Sequence, residues 1–229
     1  MKYIFILMLS VALASCSAQE NTSLTADEFE QQIKANPNAQ ILDVRTPGEF
    51  NSGHLKNALL ADWRNKKEFN RRISFIDKDK PVLVYCLSGG RSAAAAEMMR
   101  AAGYKTVYEL DGGLNAWRGK DKLVEGNSNA PQLLVQTFDE TIQKNGLVLV
   151  DFGAEWCAPC KKMEPILNAV VQKKGSSFTL LKVDGGKDLD LIKKYQVEAL
   201  PVFLIFKNGQ QIWRKDGVAT EAELLDKLQ

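Results

Sequence analysis

The most constraining feature of this 229-residue sequence is a pair of cysteines at the junction of two patterns. Residues 147–152 form an apolar run of strand length, and Trp156-Cys157-Ala158-Pro159-Cys160 follows almost at once. From 157 to 174 the pattern is helical. A strand that feeds directly into a helix packs as part of an α/β layer. The same junction sets the chemistry. The thiolate is the nucleophile in disulfide exchange, so a reactive cysteine needs a lowered pKa and access. Cys157 opens the helix, where unpaired amides and the helix dipole favour an anion. Cys160, one turn on, lies close enough to resolve a mixed disulfide. The alternative for a lone C-x-x-C, half of a zinc site, lacks a second pair and leaves Trp156 and Pro159 unexplained.

The elements downstream continue the alternation. A helix is expected over 138–144, strands over 178–183 and 202–206, and a helix over 189–195. Asn208-Gly209 signals a hairpin, and an amphipathic helix closes the chain over 220–228. With these in place, residues 150–161 resemble the thioredoxin signature, and the likeness covers about 132–229. Ala158-Pro159 stands where that family commonly has Gly-Pro, and Val202 where it usually has Thr. The resemblance implies a mixed central sheet flanked by helices. It also implies a redox-active Cys157–Cys160 pair, a helix kinked at Pro165, a cis bond before Pro201, and client contact at Trp156 and Leu200. It makes Asp151 a buried carboxylate. In an apolar strand such a group has a raised pKa and can take or return the proton of Cys160.

The first half has its own alternation. Thr25 and Glu28 are spaced as a capping box at a helix start. Strands are expected over 40–45, 81–86 and 104–110, with a helix over 91–102 closed by Gly103. Strands alternating with helices argue for a parallel sheet with helices on both faces. One cysteine stands at a strand end, in Tyr85-Cys86-Leu87-Ser88-Gly89-Gly90-Arg91-Ser92. Gly89 and Gly90 allow successive amides to turn inward as an anion-binding nest, and Arg91 adds charge.

This loop resembles the rhodanese active-site loop, in which the cysteine carries sulfane sulfur. Four residues separate Cys86 from Arg91, as in rhodanese-like sulfurtransferases, whereas related phosphatases use five. Asp43-Val44-Arg45, Glu49-Phe50 and Gly53-His54 resemble that family's N-terminal signature, and residues 110–117 its C-terminal one. The likeness covers about 24–120. It makes Cys86 and Arg91 catalytic, with Leu87, Ser88, Gly89 and Gly90 binding the sulfur donor. Asp43 is expected to pair with an arginine near the loop, and His54 to order a turn. Two other readings of Cys86 stay open: an inert strand-end cysteine, or a loop kept for recognition alone.

The N-terminus is set aside before fold reasoning. Met1-Lys2 is followed by an apolar run to Ala14, too short to span a bilayer as a helix. Leu13-Ala14-Ser15-Cys16 resembles a lipobox, which implies cleavage before Cys16 and its lipidation; a plain secretory signal is the alternative. The division is then a signal peptide over 1–15, a tether over 16–23, a first domain over 24–120, a linker over 121–131 and a second domain over 132–229. Net charge is +2 with both signs interspersed, which argues against nucleic-acid binding. A single histidine excludes a His-rich metal site.

The expected function is an envelope thiol–disulfide oxidoreductase, lipid-anchored and periplasm-facing, with Ser17 resembling outer-membrane sorting. An associated site carries persulfide on Cys86. No cofactor or metal is expected. Partners are protein disulfide clients, a sulfane-sulfur donor such as thiosulfate, and a membrane electron donor. Two alternatives are a first domain that only recognises partners, and a sulfurtransferase whose C-x-x-C pair reduces the persulfide.

Overall fold

In the computed structural model the described residues are 22–126, 132–144 and 146–229. The expected signal peptide, Cys16, Ser17 and most of the tether lie outside them, as do residues 127–131 of the linker.

The first domain runs β1 (Ser23–Leu24), α1 (Ala26–Ala35), β2 (Gln40–Asp43), α2 (Pro47–Asn51), β3 (Leu59–Leu60), α3 (Lys66–Ile73), β4 (Val82–Tyr85), α4 (Gly90–Ala101), β5 (Val107–Leu110) and α5 (Gly113–Arg118). The strands are all parallel, in the order β1-β5-β4-β2-β3. A parallel sheet needs cover on both faces, so its strands are apolar on both. β4 shows this: Val82 and Val84 pack with Phe69 of α3 and Met99 of α4, while Leu83 and Tyr85 pack with Phe29 of α1 and Trp117 of α5. The Thr25–Glu28 capping box forms, and Thr46 with Glu49 makes a second one at α2, with Pro47 in its first turn.

Asp43 and Arg45 form a fully buried ion pair at 2.6 Å. Arg45 also donates to the Gly53 carbonyl at 2.7 Å, so the pair ties the end of β2 to the turn after α2. A buried pair of this kind costs several kcal/mol when one partner is removed, because the other charge is left uncompensated. Asp43 was expected to pair with an arginine near the sulfur loop; its partner is Arg45, two residues along the chain.

The second domain runs α6 (Val135–Ile142), β6 (Leu147–Gly153), α7 (Ala158–Lys174), β7 (Phe178–Asp184), α8 (Leu189–Lys194), β8 (Val202–Lys207), β9 (Gln210–Asp216) and α9 (Glu221–Lys227). Its sheet order is β7-β6-β8-β9, with β6 and β7 parallel and β8 antiparallel to both neighbours. Val148, Val150 and Phe152 face Phe138 of α6 and Leu191 of α8; Leu149 faces Met163 and Leu167 of α7 and Leu224 of α9. Pro165 lies inside α7.

The structure extends the first domain at both ends. Ser23, placed in the tether by composition, pairs with β5. Residues 121–126, placed in the linker, pack back: Glu125 bridges His54 through two backbone hydrogen bonds of 2.6 and 2.7 Å, and Lys122 meets Asp27 at 2.9 Å and Glu30 at 2.8 Å. Polar composition does not reveal such contacts, because the partners lie far along the chain.

Candidate functional site

Each half places a cysteine where an interior strand gives way to a helix. In the second domain Cys157 is the N-cap of α7, and its sulfur accepts from the Cys160 amide at 3.3 Å. Cys157 and Cys160 are joined in a disulfide, with Cα atoms 5.2 Å apart. The Leu200–Pro201 bond is cis, immediately before β8. Asp151, on β6 beneath the pair, has its pKa pushed up to about 6 by burial; Lys182 opposes the shift and Glu164 adds to it. A Cβ placed on Gly153 would lie 3.3 Å from Asp151 Oδ1 and 3.7 Å from the Cys160 Cβ. The glycine therefore leaves a gap between the carboxyl and the resolving cysteine.

In the first domain Cys86 follows β4, at the centre of the sheet. It is free and buried. Its sulfur accepts from the Gly89 amide at 3.2 Å and from the Ser92 hydroxyl at 3.3 Å. Burial pushes the thiol up. Donors from the Ser92 hydroxyl and from the amides of Ser92, Ser88 and Gly89 outweigh it and hold the pKa below the ordinary value. Gly89 adopts φ +97°, which lets the chain turn its amides inward. Gly113 fixes the loop from below. A Cβ there would lie 2.6 Å from the Cys86 carbonyl oxygen, and the next amides, of Leu114 and Asn115, donate to Cys86 and Leu87 carbonyls at 2.8 and 3.0 Å.

Arg91 has a partner that the sequence did not show. Its guanidinium is held bidentate by Glu49, at 2.9 and 2.6 Å. Glu49 is pulled down to about 2, first by that arginine and then by the α2 cap at Thr46. Arg91 also feels the Cys86 sulfur, but most of its hydrogen bonding is spent on Glu49. The sequence pointed to Arg91 and missed Glu49 as its partner, since 42 residues separate them. Ser92 and Glu109 were missed too, and are taken up below. His54 orders a turn as expected: it stacks on Phe50 at 3.7 Å and bonds the Phe50 carbonyl at 3.0 Å.

The two domains meet beside the Cys157–Cys160 disulfide. The Leu60 amide of edge strand β3 donates to the Trp156 carbonyl at 2.8 Å. Arg71 of α3 donates to the Leu200 carbonyl at 2.6 Å. Arg72 lies over the Trp156 ring at 4.9 Å, and Phe50 meets that ring edge-on at 6.0 Å. Glu68 holds both arginines in place. The backbone acceptors on either side of Cys157 are thus occupied from within the chain, and Cys157 is fully buried. A cleft of about 620 Å³ opens beside the seam, lined by Phe50, His54, Glu125, Trp156, Lys161 and Lys187, but by neither redox cysteine.

Residues 130–229 match the family model described as Thioredoxin, and residues 25–120 the model described as Rhodanese-like domain. The chain is similar to thioredoxin Y, chloroplastic, of Oryza sativa subsp. japonica, with 42% identity over 94 residues, 41% of this chain and 56% of that protein. A thioredoxin-like protein of Synechocystis sp. is 40% identical over 82 residues, 36% of this chain and 78% of that protein. Among solved structures, a rhodanese-related protein from Thermoplasma volcanium shares 29% identity over 45% of this chain and 96% of that chain, with a TM-score of 0.40. The chain spans little more than half the length of the chloroplastic thioredoxin Y proteins it matches.

Two outcomes follow. A charge-assisted hydrogen bond is worth about 1.5–3 kcal/mol, so Arg71→Ala should speed reduction of the Cys157–Cys160 disulfide by a protein dithiol on the order of tenfold. The rate with a small phosphine should change less; equal rates for variant and parent with the protein dithiol would contradict the covering role. The second outcome concerns Asp151, whose folded pKa of about 6 exceeds its ordinary 3.8. The native state binds the extra proton between those values, so this contribution to stability is lost as pH rises through that window. Asp151→Asn should therefore be near neutral at about pH 4 and stabilising by roughly 2 kcal/mol at about pH 8, as read by urea unfolding.

Proposed function

We propose that this chain, which belongs to the thioredoxin family and carries a rhodanese-like domain ahead of that fold, is a thiol–disulfide oxidoreductase whose second sulfur site holds sulfane sulfur. The observation that carries the first part is Cys157 at the N-cap of α7, with Cys160 one turn on and Asp151 beneath. The Cys157 thiolate attacks one sulfur of a client disulfide, a new S–S bond forms, and the other client sulfur leaves as thiolate. The Cys160 thiol gives its proton toward Asp151 and attacks Cys157. That closes the intramolecular disulfide and releases the client as a dithiol. Two electrons pass to the client, so turnover requires a reductant to reopen Cys157–Cys160.

The Cys86 loop supports sulfur transfer. A Cys86 thiolate attacking the outer sulfur of thiosulfate forms Cys86–S–S⁻, and sulfite departs with the electron pair of the broken S–S bond. Inward-turned amides suit a sulfur anion, and the Ser92 hydroxyl adds a donor. One observation favours a second reading, in which the first domain serves mainly to cover and recognise: β3 and α3 occupy the acceptors beside Cys157.

The setting proposed is the cell envelope, facing the periplasm, with a lipid on Cys16 as anchor and an outer-membrane location suggested by Ser17. Lipidation contributes roughly 0.8 kcal/mol per buried methylene, and more than one chain gives stable anchoring. No helix among the described residues is long and apolar enough to cross a membrane. A reductant in that setting is supplied through a membrane partner.

The test is trapping. Full-length Cys160→Ser should accumulate client proteins as mixed disulfides on Cys157, released by reductant, while Cys157→Ser traps none and reduces insulin at only the uncatalysed rate. Insulin reduction by Cys157→Ser at the parent's rate would overturn the assignment.

A further inference from the structure

We infer that Glu109 sets the ionisation of Cys86 through Ser92, as a positioning residue that stores the thiol's proton. This rests on reading Cys86 as a sulfur nucleophile and goes beyond it by naming the group that makes the thiolate.

The geometry begins with a shortage of hydrogens. The Ser92 hydroxyl carries one hydrogen and lies within reach of three acceptors: Glu109 Oε1 at 2.6 Å, the Gly89 carbonyl at 2.8 Å and Cys86 Sγ at 3.3 Å. The Gly89 carbonyl already accepts from the Ala93 amide at 2.9 Å and carries no ionisable proton, so the two acceptors whose pull on the Ser92 hydrogen changes with ionisation are the carboxyl and the sulfur. All three side chains are buried. Glu109 stands on β5, beside β4, and its other oxygen accepts from Ser23 of β1 at 3.1 Å. When Glu109 is ionised it draws the Ser92 hydrogen to itself, and the sulfur keeps its own proton. When Glu109 is protonated it donates to the Ser92 oxygen, and the Ser92 hydrogen turns to the sulfur. The balanced step is a relay. The Cys86 S–H proton passes to Ser92 Oγ, the Ser92 proton passes to Glu109 Oε1, and thiol plus carboxylate become thiolate plus acid. No other reactant is needed.

Burial raises the Glu109 pKa against the lowering by Ser92 and Ser23, which suits a group that accepts a proton above the ordinary carboxylate range. The surrounding charges do not supply the same switch. Arg91 of α4 stands by the sulfur with Glu49 of α2 behind it, and Glu49 titrates at about 2. Asp111, just past β5, and Arg100 of α4 act on Glu109 in opposite directions. A Glu109 that merely packed β5 against β1 would need no hydroxyl between itself and Cys86.

The experiment measures alkylation of Cys86 by iodoacetamide against pH in the full chain, read on the Cys86 peptide by mass spectrometry, so the other cysteines and sulfur transfer itself do not enter. Glu109→Gln keeps the shape and fixes a neutral donor toward Ser92. It should lower the Cys86 pKa by about one unit and reduce the profile to a single ionisation. Ser92→Ala should raise the Cys86 pKa, and adding Glu109→Gln to it should move the profile by much less than in the parent. An unchanged profile in Glu109→Gln, or an equal shift with and without Ser92, overturns the relay. Failure of thiosulfate to load Cys86 while these shifts appear would instead count against the sulfur-carrier reading.

Discussion

Both cysteine sites in this molecule depend on backbone amides left unpaired where a strand turns into a helix. A sulfur anion in a protein interior is stable only where donors point at it, and a helix start supplies them without side chains. Both halves use that junction on an interior strand: β4 has neighbours on each side, as does β6. A strand hydrogen-bonded along both edges cannot shift, so the cysteine at its end is placed by the sheet and not by its loop. The difference between the sites lies in what surrounds the anion. Cys157 faces a second cysteine and a carboxyl held near neutrality at about 6, which suits exchange. Cys86 faces the amides of Ser88, Gly89 and Ser92 with one hydroxyl, which suits holding a single sulfur.

The seam between the domains gives the arrangement its consequence. β3 is an edge strand, and an open edge presents unpaired amides. The Leu60 amide finds its partner in the Trp156 carbonyl, so the first domain completes its sheet edge with backbone of the loop that carries Cys157. Arg71, Arg72 and Glu68 place a network of charge over Trp156 and Leu200. The two sites share an element: α2 contributes Glu49 to the Cys86 loop and Phe50 to the Trp156 ring from adjacent positions.

Much of this was legible in the sequence, and the reason is local. Continuous apolar runs announced β4 and β6, a capping pair announced α1, an amphipathic pattern announced α9, and the Cys-x-Pro-Cys junction announced the disulfide. The elements that escaped are short or polar. β3 is only Leu59–Leu60, α2 is a single turn and a half, and α3 begins Lys66-Lys67-Glu68 with few apolar residues to show a period. The functional contacts that escaped join distant positions. Glu49 with Arg91, Ser92 with Glu109 and Arg71 with the Leu200 carbonyl span 42, 17 and 129 residues, and no local pattern marks them. The packing of Ser23 and of residues 121–126 onto the first domain was hidden for the same reason: tertiary partners override a polar composition.

The claim at the centre of this account is that both halves hold a working sulfur anion. It is tested by treating the reduced full-length protein with thiosulfate and locating added sulfur by mass spectrometry. The account predicts a persulfide on Cys86, absent in Cys86→Ser. A Cys86 that stays unmodified while the Cys157–Cys160 pair still reduces insulin would contradict it, and would leave the first domain as a cover for the redox site alone.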